Sequence, residues 1–219
     1  MSAELASRHA FASRHLPPPG AAVVRELAAR YGEPHRAYHN ATHIAEVLRH
    51  FDDVWDALGW DHPHDVFDAV LFHDAIYDPL AKDNEARSAD LAAAFGASDR
   101  TRALILLTAR HGAIAPSDVD RDAAHFLDCD TAILGAPPDA FDAYDAAVRR
   151  EYAMVPDAAY RAGRAAFLRS LLDRPRIFLG DLFHARYDAA ARANLARALS
   201  GLGVVLQSPD ERSGSRENR

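Results

Sequence analysis

Four side chains on three separate stretches of this chain have the types and placement to hold one divalent cation. Tyr38-His39-Asn40-Ala41-Thr42-His43 supplies an imidazole, Phe72-His73-Asp74 an imidazole beside a carboxylate, and Leu127-Asp128-Cys129-Asp130 a late aspartate. His43 falls at the edge of an apolar helical stripe, one turn before Val47, and His73 and Asp130 fall on stripes of their own, so these side chains are expected to point inward. An inward histidine alone is commonly a hydrogen-bonded core residue. A buried carboxylate is different, because its charge is costly unless a cation or strong donors face it. Asp74 and Asp130 pose that problem twice, and one ion shared by His43, His73, Asp74 and Asp130 answers both. Two imidazoles and two carboxylates suit Mn²⁺, Mg²⁺, Fe²⁺, Zn²⁺ or Ni²⁺ without choosing among them, and leave positions open for water and substrate. Asp128 lies two positions from Asp130, about 200° around a helix, so the two do not share an ion. Asp130 is preferred because it shares a face with Phe126 and Ile133.

Eleven of the twelve histidines lie at or before His125, which places the chemistry in the first two thirds and leaves the last third as scaffold or substrate wall. The elements that must carry these residues read as helices. Alanine, leucine, arginine and aspartate dominate and period-two alternation is hard to find, so the expected fold is all-α, a compact single-domain helical bundle. Ile44, Val47, Leu48, Phe51, Trp55 and Leu58 recur at steps of three and four behind Asn40, a fitting N-cap. Val66, Ala69, Val70, His73 and Tyr77 form a second stripe. Leu104, Leu107, Thr108 and His111 form a third, on a helix opened by Ser98 or Asp99, and Phe126, Asp130 and Ile133 a fourth that stops near Gly135. Helices over 139–153, 157–172 and 188–202 complete the set. Pro17-Pro18-Pro19-Gly20 sets off an N-terminal segment, 1–20, from a helical domain, 21–205, and the polar residues 206–219 read as a disordered tail.

A chain of 219 residues with 49% hydrophobic and 26% charged residues has the composition of one ordinary globular domain. Its net charge of -7 argues against a duplex nucleic-acid partner, so any phosphate recognition has to be local. There is no apolar run near the ~20 residues that span a bilayer and no secretory leader pattern, so no membrane partner is expected and residence is expected to be cytoplasmic. The single cysteine, Cys129, rules out an intramolecular disulfide and a thiolate zinc cluster, which leaves nitrogen and oxygen as metal donors. Oligomeric state is not encoded in any of these features.

The order His43, His73-Asp74, Asp130 resembles the HD superfamily of metal-dependent phosphohydrolases, and in particular its bacterial branch of small predicted HD phosphohydrolases. The resemblance runs over about residues 25 to 203. It rests on Tyr-His-Asn-x-x-His-Ile (38–44), Phe-His-Asp-x-x-Tyr (72–77), Asp-Asn-Glu-x-x-Ser-Ala (83–89), Asp-x-Asp-x-x-Ile-Leu-Gly (128–135) and Arg-Glu-Tyr (150–152). The first motif, and the Cys129-Asp130-Thr131 segment, are also similar to those of cyclic-nucleotide phosphodiesterases, although no second histidine cluster accompanies them.

The resemblance implies an HD-type bundle that cleaves a small phosphate ester, a nucleotide or related compound, with metal-activated water. It makes His39 the general acid, His43, His73, Asp74 and Asp130 the metal ligands, and Asp74 a catalytic group able to bridge to a second ion. Asn84, Glu85, Lys82 and His111 become candidate contacts to substrate or to metal-held water. Glu85 reads equally as an acid placed at a helix N-terminus, where the dipole favours it, and His111 equally as a core residue. Lys82, Arg36 and Arg110 read as solvated, as do His35, His62, His64 and His125. Glu151 and its neighbours read as core packing along the stripe Tyr144, Val148, Tyr152. Two alternatives stay open: an HD-type di-iron oxygenase, needing further histidines for which His111 and His125 are the candidates, and a non-catalytic protein that binds metal or nucleotide.

Overall fold

The computed structural model describes residues 10–203. Among them there is no strand, and nine α-helices carry the fold: α1 (Ala21–Tyr31), α2 (Ala41–Leu58), α3 (Pro63–Phe72), α4 (Asn84–Ala94), α5 (Asp99–Thr108), α6 (Arg121–Thr131), α7 (Pro138–Glu151), α8 (Asp157–Leu172) and α9 (Asp181–Gly201). Short 3₁₀ turns lie at His111–Ala113, Pro116–Asp118 and Ala132–Gly135. The all-α expectation holds. The tail expected over 206–219 lies outside the described residues.

Local chemistry sets the helix ends. Asn40 caps α2 by accepting the Thr42 N–H at 2.9 Å, and Gly59, at φ 68, closes it with its N–H on the Val54 and Trp55 carbonyls. Ser98 caps α5 through the Thr101 N–H, and Asp120 caps α6 through the Ala123 N–H. Pro63 opens α3, where a missing N–H costs nothing. α3 packs on α2, α4, α5 and α6, which is why nearly its whole circumference, from Val66 to Phe72, is buried. α2 and α6 cover α3 from one side, and their contact is the floor on which the inward histidines and acids stand.

Several expected boundaries move. α1 was not expected; Gly20 precedes it without a side-chain cap, and it buries Val24, Leu27 and Tyr31. α9 starts at Asp181 rather than 188, and Asp188, which reads as a helix-opening acid, sits inside the helix and accepts the Ile177 N–H at 2.7 Å. α5 ends at Thr108, so His111 stands on the following 3₁₀ turn and not on the same helix. Residues 11–14 are docked: Phe11 is fully buried, and Asp52 of α2 accepts from Ser13 Oγ at 2.6 Å and from the Arg14 N–H. Gly135 lets α9 approach, because a Cβ there would lie 2.6 Å from the Tyr187 Cβ. Among the described residues no helix is long and apolar enough to cross a membrane.

Candidate metal centre

The four expected ligands converge. His43 projects from the first turn of α2, His73 and Asp74 follow the last residue of α3, and Asp130 stands near the end of α6. One ligand atom from each lies within 4.8 Å of the others. His43 Nε2 is 3.1 Å from Asp130 Oδ1, 3.3 Å from His73 Nε2 and 3.5 Å from Asp74 Oδ2, while His73 Nε2 is 3.2 Å from Asp74 Oδ2 and 3.3 Å from Asp130 Oδ1. Ligand atoms held ~2.1 Å from one ion stand ~3.0 Å apart at right angles and ~3.4 Å apart at tetrahedral angles. These five pairs are spaced close to that rule, and the cluster could hold a metal ion.

The tautomer fits as well. His73 Nδ1 donates to the Val70 carbonyl at 3.0 Å, which leaves Nε2 as a lone pair aimed at the cluster. Burial disfavours a charged His73 ring, but Asp74 and Asp130 outweigh it and hold its pKa well above the ordinary value. Burial likewise works to raise both acids, and the imidazoles, His73 first, pull Asp74 and Asp130 below the carboxylate range. The cluster demands positive charge, and a cation would displace the proton that otherwise supplies it. His111 completes the frame: its Nε2 donates to Asp130 Oδ2 at 2.7 Å and so turns the other oxygen, Oδ1, toward the imidazoles. Arg174 anchors that turn by donating to the His111 and Ile114 carbonyls.

Compared with protein-family models, curated proteins and solved structures, the chain matches none. The chemistry of the site has to carry the functional argument.

Beside the cluster lies a cavity of about 560 Å³, within the range of small-molecule sites, lined at one end by Asp74, Asp130, His39 and His111. His39 is held from behind by Glu151, the last residue of α7. Glu151 is almost wholly buried, and its Oε1 accepts the three successive N–H groups of Ala37, Tyr38 and His39 at 2.7–2.9 Å. Its Oε2 accepts from His39 Nδ1 at 2.6 Å and from Tyr77 Oη at 3.0 Å. Nε2 is therefore the His39 nitrogen available to the cavity. Burial opposes a charged His39, yet Asp74 and Glu151 together raise its pKa. Burial also opposes ionised Glu151, but His39 and the backbone donors hold it down at about 2. Sequence reasoning assigned Glu151 to core packing; this is corrected, because a buried carboxylate with five donors orders the whole 37–39 turn. The Arg150-Glu151-Tyr152 motif was the signal that could have found it.

Arg36 binds the two ligand-bearing segments together. Its buried guanidinium donates to the His39, Asp74 and Ala75 carbonyls at 2.7–3.0 Å and to Glu33. It satisfies main-chain groups just past the C-terminus of α3 and is not a phosphate ligand. Among the other expected contacts, Glu85 lines the cavity, whereas Asn84, at its edge, spends both ends of its amide on Asp78. Lys82 and Arg110 are exposed and off the cavity wall. His125, expected at the surface, is buried between Trp60 and Phe183, because α6 is covered on nearly every side. Asp128 turns away from the cluster, as the helical angle requires, and accepts the Leu179 and Gly180 N–H groups at 2.7 Å.

Proposed function

We propose that the chain is a metal-dependent phosphohydrolase of the HD kind. The observation that carries this reading is the convergence of His43, His73, Asp74 and Asp130 at the wall of a cavity that also holds the His39–Glu151 pair. Two imidazoles and two carboxylates suit Mn²⁺, Fe²⁺, Zn²⁺, Ni²⁺ or Mg²⁺. A divalent ion bound there supplies Lewis acidity, which neutralises phosphoryl charge and lowers the pKa of water from ~15.7 toward ~7.

The chain's own residues supply the rest. His39, kept protonated by Glu151, gives its proton to the ester oxygen as the P–O bond breaks and that oxygen takes the electron pair. The attacking water forms the new P–O bond and carries one hydrogen into the product phosphate; its other proton restores His39, so the sum is ester plus water to alcohol plus phosphate. Asp74, which opens onto the cavity, orients that water by accepting its hydrogen bond. Among the described residues no second group of three or more converging ligands accompanies the first. His111 is committed to Asp130 and His125 lies in the core, which supports a one-metal hydrolase over a di-iron oxygenase.

The test is metal analysis of the purified protein, followed by phosphate-release assays with the metal found, across nucleotides, cyclic nucleotides and simple phosphomonoesters. Turnover that disappears on chelation and returns with metal is expected. Stoichiometric metal with ligand binding but no turnover on any ester would overturn the enzyme reading in favour of a binding protein.

A further inference from the structure

Much of the remaining cavity wall is aromatic. It comprises Tyr144, Tyr152, Tyr160 and Phe167, with Tyr77 stacked on His39. Tyr160, Arg164 and Phe167 follow one another at helical spacing, so α8 presents them on a single face. Tyr152 and Tyr160 face each other with centroids 6.0 Å apart. The Tyr160 hydroxyl is buried and has no hydrogen-bond partner, although tyrosine hydroxyls in such places ordinarily have one.

Charge is scarce there. Arg164 is the sole Lys or Arg among the described residues lining the cavity. Its guanidinium is already neutralised by Asp145, with Nε 2.9 Å and Nη2 2.7 Å from Oδ1, and is stacked over the rings of Tyr144 and Phe167 at 5.2 and 5.5 Å. The carboxylates Asp74, Asp130 and Glu85 line the same space. A single cation at His43, His73, Asp74 and Asp130 can balance one phosphoryl group. A second or third phosphate would extend toward Glu85 and the tyrosines with no lysine, arginine or glycine-rich loop to receive it. Aromatic faces, by contrast, are what a flat ring requires.

We infer that the substrate carries one phosphoryl group and a flat ring, as a nucleoside monophosphate does, and that nucleoside di- and triphosphates are rejected. The phosphoryl group sits at the cluster of His43, His73, Asp74 and Asp130, and the ring lies against the aromatic wall of Tyr152, Tyr160 and Phe167. This rests on the phosphohydrolase reading for the reaction, but not for the binding preference.

The deciding experiment compares the metal-loaded protein on adenosine 5′-monophosphate, the corresponding di- and triphosphates, and ribose 5-phosphate, which keeps the phosphate and lacks the ring. The monophosphate is expected to exceed ribose 5-phosphate in kcat/KM by roughly tenfold or more, the contribution of ring stacking. It is expected to exceed the triphosphate by on the order of a hundredfold, from unpaired anionic charge. Phe167→Ala, at a half-open position that need not disturb the core, should narrow the first ratio through KM. A triphosphate turned over as well as the monophosphate, or a ringless ester equal to the ringed one, overturns the inference. If no ester is hydrolysed, the phosphohydrolase reading falls. Equilibrium binding of the same four compounds, with metal in excess, then decides: tightest binding of the monophosphate supports the inference, and tightest binding of the triphosphate defeats it.

Discussion

Glu151 and Asp130 are both buried acids, and their surroundings differ in kind. Glu151 is met by five donors, three of them main-chain N–H groups, so its charge is stable without any guest. Asp130 shares its site with Asp74; His111 meets its outer oxygen, and the inner oxygens of the two acids face the Nε2 atoms of His43 and His73 rather than main-chain donors. One centre is complete in itself and orders a turn; the other could take up a cation. A buried carboxylate points to a metal site when the groups that face it can themselves ligate, and to scaffolding when main-chain donors answer it.

The sharpest way to break this contrast is Asp130→Asn. Metal content measured by elemental analysis should fall to background, turnover should drop on the order of 10³-fold or more, and the rise in melting temperature on adding metal should vanish, where the unaltered protein gains ~2.7 kcal/mol at metal a hundredfold above its Kd. Retention of stoichiometric metal would sink the assignment.

Glu151→Gln is the converse case. The amide would set a donor against His39 Nδ1 or Tyr77 Oη, so kcat should fall ~10²- to 10³-fold while metal stays bound. The pH profile gives the sign. With His39 acting as an acid and its pKa raised, activity is retained at low pH and lost as pH rises through that value. Removing the Glu151 charge lowers the His39 pKa, so the falling limb should move to lower pH; a limb that stays in place would show that Glu151 does not act through His39.

Weaker effects separate support from ligation. His111→Ala removes the donor to Asp130 Oδ2 and should weaken metal binding ~10- to 100-fold in a competition titration, with the site otherwise formed. The smallest effect on activity belongs to Asp128→Asn, which turns one acceptor into a donor against Leu179 or Gly180. It should lower unfolding stability by ~1–3 kcal/mol in a denaturant titration and leave metal content intact. Loss of metal there would mean that Asp128 and Asp130 do not have separate roles.

How far the sequence could be read follows the same divide. His43 and Asp130 sit on helices with apolar periodicity and His73 and Asp74 follow directly on a third, so a 3.6-residue repeat brought them toward one another, and Asn40 announced the start of α2. Glu151 was marked by the Arg150-Glu151-Tyr152 motif alone, and its role was hidden for a physical reason: three of its five donors are backbone N–H groups, which nearly every residue has. His111 was expected on a continued α5, where a break after Thr108 carries it instead onto a turn that reaches Asp130. Asp188 was expected to open the last helix and lies inside it, where it accepts the Ile177 N–H. The aromatic wall on α7 and α8 could be read as a periodic stripe, but periodicity does not distinguish a face turned to a core from one turned to an open space.

Arg36 carries a mechanical consequence. By gripping the carbonyls of residues 39, 74 and 75 with one rigid planar fork, it ties the segment bearing His39 to the segment bearing His73 and Asp74. A shift of either segment then carries the other with it, so the spacing of His39 from His73 and Asp74 is held by a single side chain.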